Sequence, residues 1–551
     1  MSPGAFVVHK VVYVCAAILV AALLAGLARR RSLGVALALG CFLFVGLVFS
    51  LGLADDSYIS LRYARNFAAG SGLVFNVGER VEGYTCFLWV LVLGLVKKAV
   101  AATDLAGLAK ALGIGFGCLS LLATYGFSAY LARTRPAEGR DVPSSDSPAV
   151  LLLLVATNFP LVFWSFSGME TSFYVTLLVG SSYFFVRYLD GGPARLKSLL
   201  YSSLLLGAAA LTRPETYLVP LCNLVFILAL EREKRGRAVA LLLGPFLAVF
   251  LPYFLWRYDY YGHLFPNTYY AKVGGGSLAL SLFGLKYLAR GAIPHAILVA
   301  FVLVKIARAR ARLRPADLYL LSVLGLWVVT IVYTGADHFS ELRYFVYLLP
   351  FMYLVACDEI ADFARRSGQA LSRLAGRRAR HAIANGTIAS LAIAGFLAVF
   401  YYNSLGITAT VLCGKHLGDK WGLLGRWMEE TSSRGDAIAT PVVGAIGYYC
   451  DRPIIDMVGI VDGVIAHSPK GVPGEGPKDH GLYDTEYVLG RKPKYIYLLG
   501  TAPSEQMFLR RPDPIPAIQD LKRLFPNRDY EYGLIELEGN RFALYRRRAG
   551  S

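Results

Sequence analysis

The sequence predicts a polytopic α-helical membrane protein with about twelve transmembrane helices, followed by a small α/β domain. Of the 551 residues, 56% are apolar and only 17% are charged, whereas a soluble domain has about 25% charged residues. The mean hydropathy is +0.49. A soluble core cannot absorb this much apolar sequence, so lipid must be the solvent for much of the chain.

Apolar runs mark the predicted transmembrane helices. Several reach the roughly 18–20 residues that a helix needs to cross the hydrocarbon layer, and the shorter ones lie between stronger neighbours. The short run at 86–96 predicts a re-entrant or interfacial helix instead. The predicted spans lie near residues 11–28, 33–53, 105–132, 148–165, 171–187, 198–212, 216–231, 238–256, 289–306, 317–334, 344–361 and 384–402.

Basic residues in every second connection give the predicted orientation. By the positive-inside rule these connections are cytoplasmic, and the N-terminus then lies outside. The formal net charge of +18 is therefore explained by topology, and nucleic-acid binding is not predicted. The basic connections hold Arg29–Arg31; Arg133, Arg135 and Arg140; Arg187, Arg195 and Lys197; Arg232, Lys234, Arg235 and Arg237; Lys305, Arg308, Arg310, Arg312 and Arg314; and Arg365, Arg366, Arg373, Arg377, Arg378 and Arg380.

The chain divides into two predicted domains. Residues 1–402 form the transmembrane domain, whose first outer loop is 54–104, and residues 403–551 form an outer-facing α/β domain. The second part contains the turn-rich run HSPKGVPGEGPKDHG and alternates strand-like with helix-like pieces, a pattern and a size that suit a small α/β domain. Cys413 and Cys450 lie there, where a disulfide is chemically permitted.

Unusual polar clusters fall only in the connections that are predicted to lie outside. Because the charge rule places each cluster independently of its content, one concave site at the outer membrane face could gather all of them. The clusters are Asp55 and Asp56; Glu170 in GMETS; Arg213 and Glu215 in LTRPE; Asn267, Tyr269, Tyr270 and Lys272 in FPNTYYAK; and Asp337, His338, Glu341 and Arg343 in GADHFSELRY.

Each cluster also has an ordinary structural interpretation. Adjacent acids at a helix end are commonly solvated, Arg213 and Glu215 can form a local ion pair, and Arg343 can anchor a helix by snorkelling. A lone histidine is more often structural than catalytic, and PNTYY suits the interfacial aromatic belt. The coincidence of mixed acids and bases on one side favours a functional site over these separate explanations.

The mixture of residue types suggests a reaction. A carboxylate can deprotonate an acceptor hydroxyl, and a close pair of acids raises the pKa of one of them towards a usable range. Arginine and lysine can bind a phosphate and stabilise charge on a leaving group. Together they suit transfer of a sugar from a lipid phosphate to a hydroxyl.

These residues carry a family resemblance. The stretch DDSYISLRYARNFAAGSGLVFNVGERVEGYTCFLW resembles the first outer loop of the glycosyltransferase C superfamily. It is most similar to bacterial members related to the mycobacterial terminal β-(1→2) arabinofuranosyltransferase. GMETS, LTRPE, PNTYYAK, GADHF, GYYCDRPIIDMVGIVD and EYVLGRKPKYI resemble later landmarks of that group.

The resemblance implies the glycosyltransferase C fold and a multi-pass enzyme of the bacterial inner (plasma) membrane. It implies a polyprenyl-phosphate-linked sugar donor, an envelope glycan or glycolipid acceptor, and an active site facing the periplasm or exterior. The catalytic acid is then Asp55 or Asp56. The resemblance allows a divalent cation, for which no ligand set can be recognised. Candidates for the donor phosphate are Arg62, Arg65, Lys272, Arg343 and Arg213, and candidates for sugar or acceptor hydroxyls are Glu82, Glu170, Asn267, Tyr269, Asp337 and His338.

Two other classes of protein fit parts of the pattern. A lipid-linked sugar flippase or another transporter would carry ionisable residues near the middle of spans and broken helices at the midplane. Here charges inside the spans are sparse, Lys110 being one. A non-enzymatic envelope scaffold would have no use for clustered acids and bases.

Overall fold

The structure is a computed structural model. It describes residues 3–28, 31–49, 52–134, 152–274, 276–308, 313–337, 339, 341–375, 383, 386–398, 417–467, 470–473, 480–497 and 499–550. Two residues of the sequence predictions, His338 and Cys413, lie outside these ranges, as does the predicted domain boundary at 402.

Helices make up most of the described residues in the first part of the chain. Its helices are Pro3–Ala28, Arg31–Val48, Asp55–Ala68, Phe87–Ala99, Leu105–Thr134, Leu153–Ala156, Phe159–Phe166, Thr171–Leu189, Arg195–Ala210, Leu218–Leu230, Arg235–Tyr261, Asn267–Lys272, Leu278–Ala292, Ala296–Arg308, Pro315–Thr334 and Arg343–Ala375, with a 3-10 turn at Pro214–Tyr217 and a further apolar helix at Gly386–Ala398.

Every predicted apolar run coincides with helix over most of its described residues. By length and composition, four helices in the described part could cross a membrane, or five if one bent pair counts as a single span. A polytopic helical membrane protein is therefore the correct class, and the number of twelve crossings stays a prediction.

Two predicted spans are broken rather than continuous. The run 289–306 contains a 98° bend between Leu278–Ala292 and Ala296–Arg308. Pro294 lies at this break, where proline cannot donate the backbone hydrogen bond that a continuous helix needs. The run 148–165 is split after Ala156, two residues before Asn158, and the next helix has a proline in its first turn.

The second part is the predicted small α/β domain. Five strands, β1 (Ile438–Thr440), β2 (Ile454–Asp456), β3 (Tyr495–Tyr497), β4 (Tyr530–Leu537) and β5 (Asn540–Arg547), pair in the order β2-β1-β3-β5-β4. The first three are parallel and β5 is antiparallel to β3 and β4. Glu538 and Gly539 join β4 to β5 with φ angles of 46° and 74°, which suit a tight hairpin turn.

The helices of this domain cover the sheet and its loops. They are Leu417–Thr431, Gly444–Tyr449, Gly463–Ala466, Thr485–Gly490, Glu505–Arg510 and Pro516–Arg523. We refer to residues 417–550 below as the C-terminal domain.

Buried apolar side chains form two cores that do not follow the predicted domain division. One core lies among the membrane helices. The other joins the C-terminal domain to the predicted first outer loop, which consists of the two helices Asp55–Ala68 and Phe87–Ala99 with their connection. Helix Phe87–Ala99 has 13 residues and so is about 20 Å long, too short to cross the bilayer. The first outer loop thus folds as part of the C-terminal unit.

Candidate active site

The five polar clusters of the sequence meet around one cavity. The cavity has a volume of about 580 Å³ and lies between the membrane helices and helix Asp55–Ala68. From the C-terminal domain it receives Ile460. Each cluster contributes at least one lining residue: Asp56; Glu170; Arg213 and Glu215; Thr268, Tyr269 and Lys272; and Asp337 and Arg343.

The two adjacent acids point to different surroundings. Asp56, which is partly buried in the first turn of helix Asp55–Ala68, lines the cavity. The carboxylate of Asp55 accepts hydrogen bonds from the backbone N–H groups of Ala445 at 2.8 Å and Gly444 at 3.2 Å. Neighbouring helical residues are about 100° apart around the axis, so one helix start presents one acid to the cavity and the other to the C-terminal domain.

Burial also changes the proton affinity of Asp55. Desolvation raises the pKa of this carboxyl group to about 7, with a smaller contribution from the neighbouring charge of Asp56. The hydrogen bonds from Ala445 and Gly444 favour the ionised form and partly oppose this rise.

Arg213 and two glutamates form a buried ionic group at the cavity wall. Nη2 of Arg213 lies 2.6 Å from Oε1 of Glu170, and Nη1 lies 4.0 Å from Oε1 of Glu215. The hydroxyl of Tyr344 donates to the same oxygen of Glu215 at 3.0 Å. Because Arg213 and Glu170 are almost fully buried, their charges depend on each other rather than on water.

Arg343 forms a second buried pair in the same wall. Its Nε donates to Oδ2 of Asp337 at 2.9 Å. Its guanidinium group also lies between 5.2 and 5.9 Å from the ring centroids of Trp164, Phe339 and Tyr344. The Asp337 carboxylate and the three aromatic rings together stabilise the buried guanidinium charge, as water would at the surface.

Several buried polar atoms of the cavity wall have no partner within the described part of the protein. They are Oε2 of Glu170, Nε of Arg213, Oε2 of Glu215, Oγ1 of Thr268 and Oδ1 of Asp337. Unsatisfied buried groups are rare in folded proteins. Their concentration around one cavity indicates a site adapted to polar ligands.

The remaining wall is apolar and partly open. Tyr217, Leu218, Phe265, Val329 and Tyr333 all line the cavity, and each exposes at least 36% of its surface. Lys272, which is partly buried, lies on the wall together with Tyr269. The cavity therefore combines an acid, buried ion pairs and an apolar opening.

Two predicted phosphate ligands have structural roles instead. Arg62 is only 3% exposed, and its guanidinium group donates to the backbone carbonyls of Phe75, Gly447, Cys450 and Arg452 and to the side chain of Asn76. Since its donors are already used, Arg62 has no capacity for a phosphate.

Arg65 likewise donates to the carbonyl of Tyr448 at 2.8 Å and pairs with Asp451 at 3.1 Å. Neither Arg62 nor Arg65 lines the cavity. The structure therefore does not support a donor-phosphate role for these two arginines. Both bind the C-terminal domain instead.

Two predicted hydroxyl ligands also lie outside the cavity lining. Glu82 is buried and paired with Arg257. This arginine directly follows the predicted span 238–256, in a helix that continues to Tyr261, and it carries no local signal of its partner. Asn267 donates to the carbonyls of Gly459 at 2.8 Å and Ile460 at 3.0 Å. Both residues fix the loops around the cavity rather than face a ligand.

Other cavity residues carry signals that the sequence analysis left unused. For Glu215 in LTRPE the sequence predicts only a local ion pair with Arg213, and Thr268 and Tyr344 are direct neighbours of predicted site residues. Within the described ranges, no group of three or more His, Cys, Asp or Glu residues has an arrangement that would hold a metal ion.

Comparison with known proteins gives relatives for parts of the chain. Residues 415–545 match the family model of a domain of unknown function (DUF8728). A terminal β-(1→2)-arabinofuranosyltransferase of Mycobacterium tuberculosis is 32% identical over 279 residues, which are 48% of this chain and 42% of the relative. The Corynebacterium glutamicum protein of the same description is 30% identical over 40% of this chain and 33% of the relative. The match thus spans less than half the length of these curated relatives.

Solved structures resemble the chain over nearly its whole length. ArnT from Cupriavidus metallidurans bound to undecaprenyl phosphate has a TM-score of 0.56 at 12% identity, covering 92% of this chain and 97% of ArnT. The Archaeoglobus fulgidus oligosaccharyltransferase in the apo form has a TM-score of 0.52 at 12% identity, covering 91% of this chain and 71% of that protein. In sequence the chain is similar to terminal β-(1→2)-arabinofuranosyltransferases, and its fold is the glycosyltransferase C fold that the first-loop motif predicts.

Proposed function

We propose that this protein is a membrane glycosyltransferase that moves a sugar from a polyprenyl-phosphate donor to a hydroxyl group of an envelope glycan or glycolipid. The observation that carries the proposal is the single cavity that gathers Asp56 with the buried ion pairs and their unpartnered polar atoms. The names of the sequence relatives and the undecaprenyl phosphate bound to ArnT support the same reaction class.

Asp56 is the proposed catalytic base. Its carboxylate takes the proton of the acceptor hydroxyl as the hydroxyl oxygen bonds to the anomeric carbon of the donor sugar. The bond from that carbon to the phosphate oxygen breaks, and its electron pair leaves with the polyprenyl phosphate. The stereochemistry at the anomeric carbon is thereby inverted.

We assign Lys272 to the donor phosphate because it lines the cavity together with Tyr269, whose hydroxyl lies 3.2 Å from that of Tyr333 at the apolar opening. Arg213 and Arg343 also line the cavity, and each is paired there with a buried carboxylate. A lysine ammonium group binds phosphate as a point charge. We place Lys272 at the leaving phosphate, with the two arginines supporting the wall behind it.

The other polar residues of the cavity are proposed to hold hydroxyl groups. Glu170, Asp337 and Tyr269 keep the sugar- or acceptor-binding role that the sequence suggested, and Glu215 joins them. Carboxylates that bind an arginine through one oxygen can accept a hydroxyl hydrogen bond through the other.

The proposed setting is the bacterial inner (plasma) membrane, crossed about twelve times. The cavity and the C-terminal domain face the periplasm or exterior, because the basic connections mark the cytoplasmic side. The transmembrane domain is proposed to end near residue 402, with the α/β domain following it.

The test is a transfer assay with the purified protein, polyprenyl-phosphate-linked sugars and an envelope glycan acceptor. Asp56→Asn should abolish transfer, and Glu531→Gln, which changes an exposed acid, should leave it unchanged. Transfer by Asp56→Asn at the wild-type rate would refute the base assignment. Wild-type protein that only moves the lipid-linked sugar across a bilayer would support a flippase instead.

The same assay tests the phosphate assignment. Lys272→Gln should raise the KM of the donor and leave the KM of the acceptor nearly unchanged, because Lys272 is placed at the phosphate of the donor. An effect confined to the acceptor KM would remove Lys272 from the phosphate site.

A further inference from the structure

The C-terminal domain touches the start of helix Asp55–Ala68, where Asp56 begins the cavity wall. From these contacts we infer that the domain is a positioning element of the active site: it holds Asp55, and through Asp55 it sets the place of Asp56. The inference rests on the proposed function, because it gives the domain its role in the same reaction.

The contact at Asp55 is close enough to exclude any side chain. A Cβ atom at Gly444 would lie 2.1 Å from the backbone oxygen of Asp55 and 2.5 Å from its Oδ2. With glycine at this position, the N–H groups of Gly444 and Ala445 both reach the Asp55 carboxylate. Hydrogen bonds to an ionised acceptor are the strong and directional kind.

A second set of contacts fixes the rest of the same helix. Arg62 reaches the carbonyls of Gly447, Cys450 and Arg452. A buried guanidinium group needs nearly all its donors satisfied, and for Arg62 the C-terminal domain provides three of the acceptors. Tyr58 packs against the rings of Tyr448 and Tyr449 with centroids 5.5 and 5.6 Å apart.

The connection after the helix is fixed in the same way. The side-chain amide of Asn76 donates to the carbonyl of Ile454 at 2.8 Å and accepts from its N–H at 3.0 Å. Asn76 therefore bonds to the backbone N–H and C=O of Ile454 in the edge strand β2, as a neighbouring strand would. A Cβ atom at Gly447 would lie 2.8 Å from the ring of Phe75, so a side chain at this contact would displace that ring.

These contacts share one consequence for the chemistry. Asp55 and Asp56 are consecutive residues of one helical turn, so a displacement of the first moves the backbone of the second. A misplacement of about 1 Å in a catalytic group can reduce the rate about 100-fold. The C-terminal domain thus contributes to catalysis by positioning Asp56. Of its residues, Ile460 lines the cavity.

The decisive variant is Gly444→Ala, matched with Gly490→Ala in the same domain. At Gly490 an added Cβ atom meets nothing within 4 Å. Gly444→Ala should lower kcat about 100-fold with both KM values nearly unchanged, and Gly490→Ala should behave as wild type. A rise in the acceptor KM with unchanged kcat would make the domain an acceptor-binding module and overturn the positioning role.

Hydrogen exchange provides a readout that does not depend on activity. The amides of residues 55–68 should exchange faster in Gly444→Ala, whereas those of β1 and β2 should stay protected and so exclude general unfolding. Unchanged exchange in residues 55–68 would overturn the proposal. If wild-type protein transferred no sugar, the proposed function would fail, and the exchange experiment would still decide whether the domain holds this helix.

Asp55→Asn completes the test with a change that keeps the size of the side chain. Combined with Gly444→Ala, it should add less than about twofold to the slower single variant, because both substitutions break one contact. Effects that multiply would show that Asp55 and Gly444 act independently, against the proposal.

Discussion

The buried pair of Arg213 and Glu170 gives a prediction that depends on which partner is removed. Glu170→Gln leaves Arg213 with a second carboxylate, since Oε1 of Glu215 lies 4.0 Å from Nη1. Arg213→Met leaves Glu170 and Glu215 buried without their cation. Removal of one partner of a buried pair costs about 3–5 kcal/mol of unfolding free energy. We expect Glu170→Gln to fall near about 3 kcal/mol and Arg213→Met near about 5 kcal/mol.

The assay is unfolding of the protein in detergent, followed by the combined fluorescence of its six tryptophans; one of them, Trp327, has its ring 4.8 Å from that of Tyr347. The double variant should cost less than the two single variants together, with a coupling of about 2–3 kcal/mol. Arg541→Met is the matched control, because the pair of Arg541 and Glu536 is about 60% exposed and should contribute less than about 1 kcal/mol. The reasoning is refuted if both buried variants stay within about 0.5 kcal/mol of wild type, or if Glu170→Gln costs more than Arg213→Met.

Two further predictions concern pH and orientation. Burial raises the pKa of Asp55 and of Asp456 to about 7 from 3.8, so the folded protein binds more protons than the unfolded chain between these values. The stabilising contribution of these two carboxyl groups is therefore complete at and below about pH 4 and is lost as the pH rises to about 7, and Asp55→Asn should reduce this slope; a flat profile in chemical unfolding would contradict it. For the orientation, Met507→Cys in a cysteine-free background should react with an impermeant maleimide on intact cells, whereas Arg237→Cys should react only after permeabilisation; the reverse order would invert the topology.

The sequence predicted the fold class and the meeting of the five polar clusters because both are consequences of folding in a lipid bilayer. Lipid imposes long apolar helices, and the charge rule sorts their connections to two sides. Asp56, Glu170, Arg213 and Arg343 lie in separate connections, yet all reach the same cavity. Grouping the connections by the predicted side of the membrane thus indicates which polar residues can lie near one another.

The partner of each charged residue could not be obtained in this way. Arg62 and Arg65 occur beside the acids in sequence, which suggested a phosphate site. Three of the five acceptors of Arg62 and both partners of Arg65 lie more than 380 positions further along the chain. No local pattern encodes such pairing. The same limit separates Asp55 from Asp56, because their difference depends on Gly444, a residue of another domain.

The charges around the cavity explain why the acid and the lysine should act at opposite ends of one reaction. Four acids, Asp56, Glu170, Glu215 and Asp337, share the cavity wall with three bases, Arg213, Arg343 and Lys272. In the proposed reaction, proton transfer to Asp56 removes one negative charge from the acceptor side, while the leaving phosphate gains one when its bond to the sugar breaks. The total charge within the cavity stays constant, and only its position changes. Fixed groups that stabilise the new position accelerate the step without reorganising. Lys272 should therefore bind the transition state more tightly than the donor, so that Lys272→Gln lowers kcat as well as raising the donor KM.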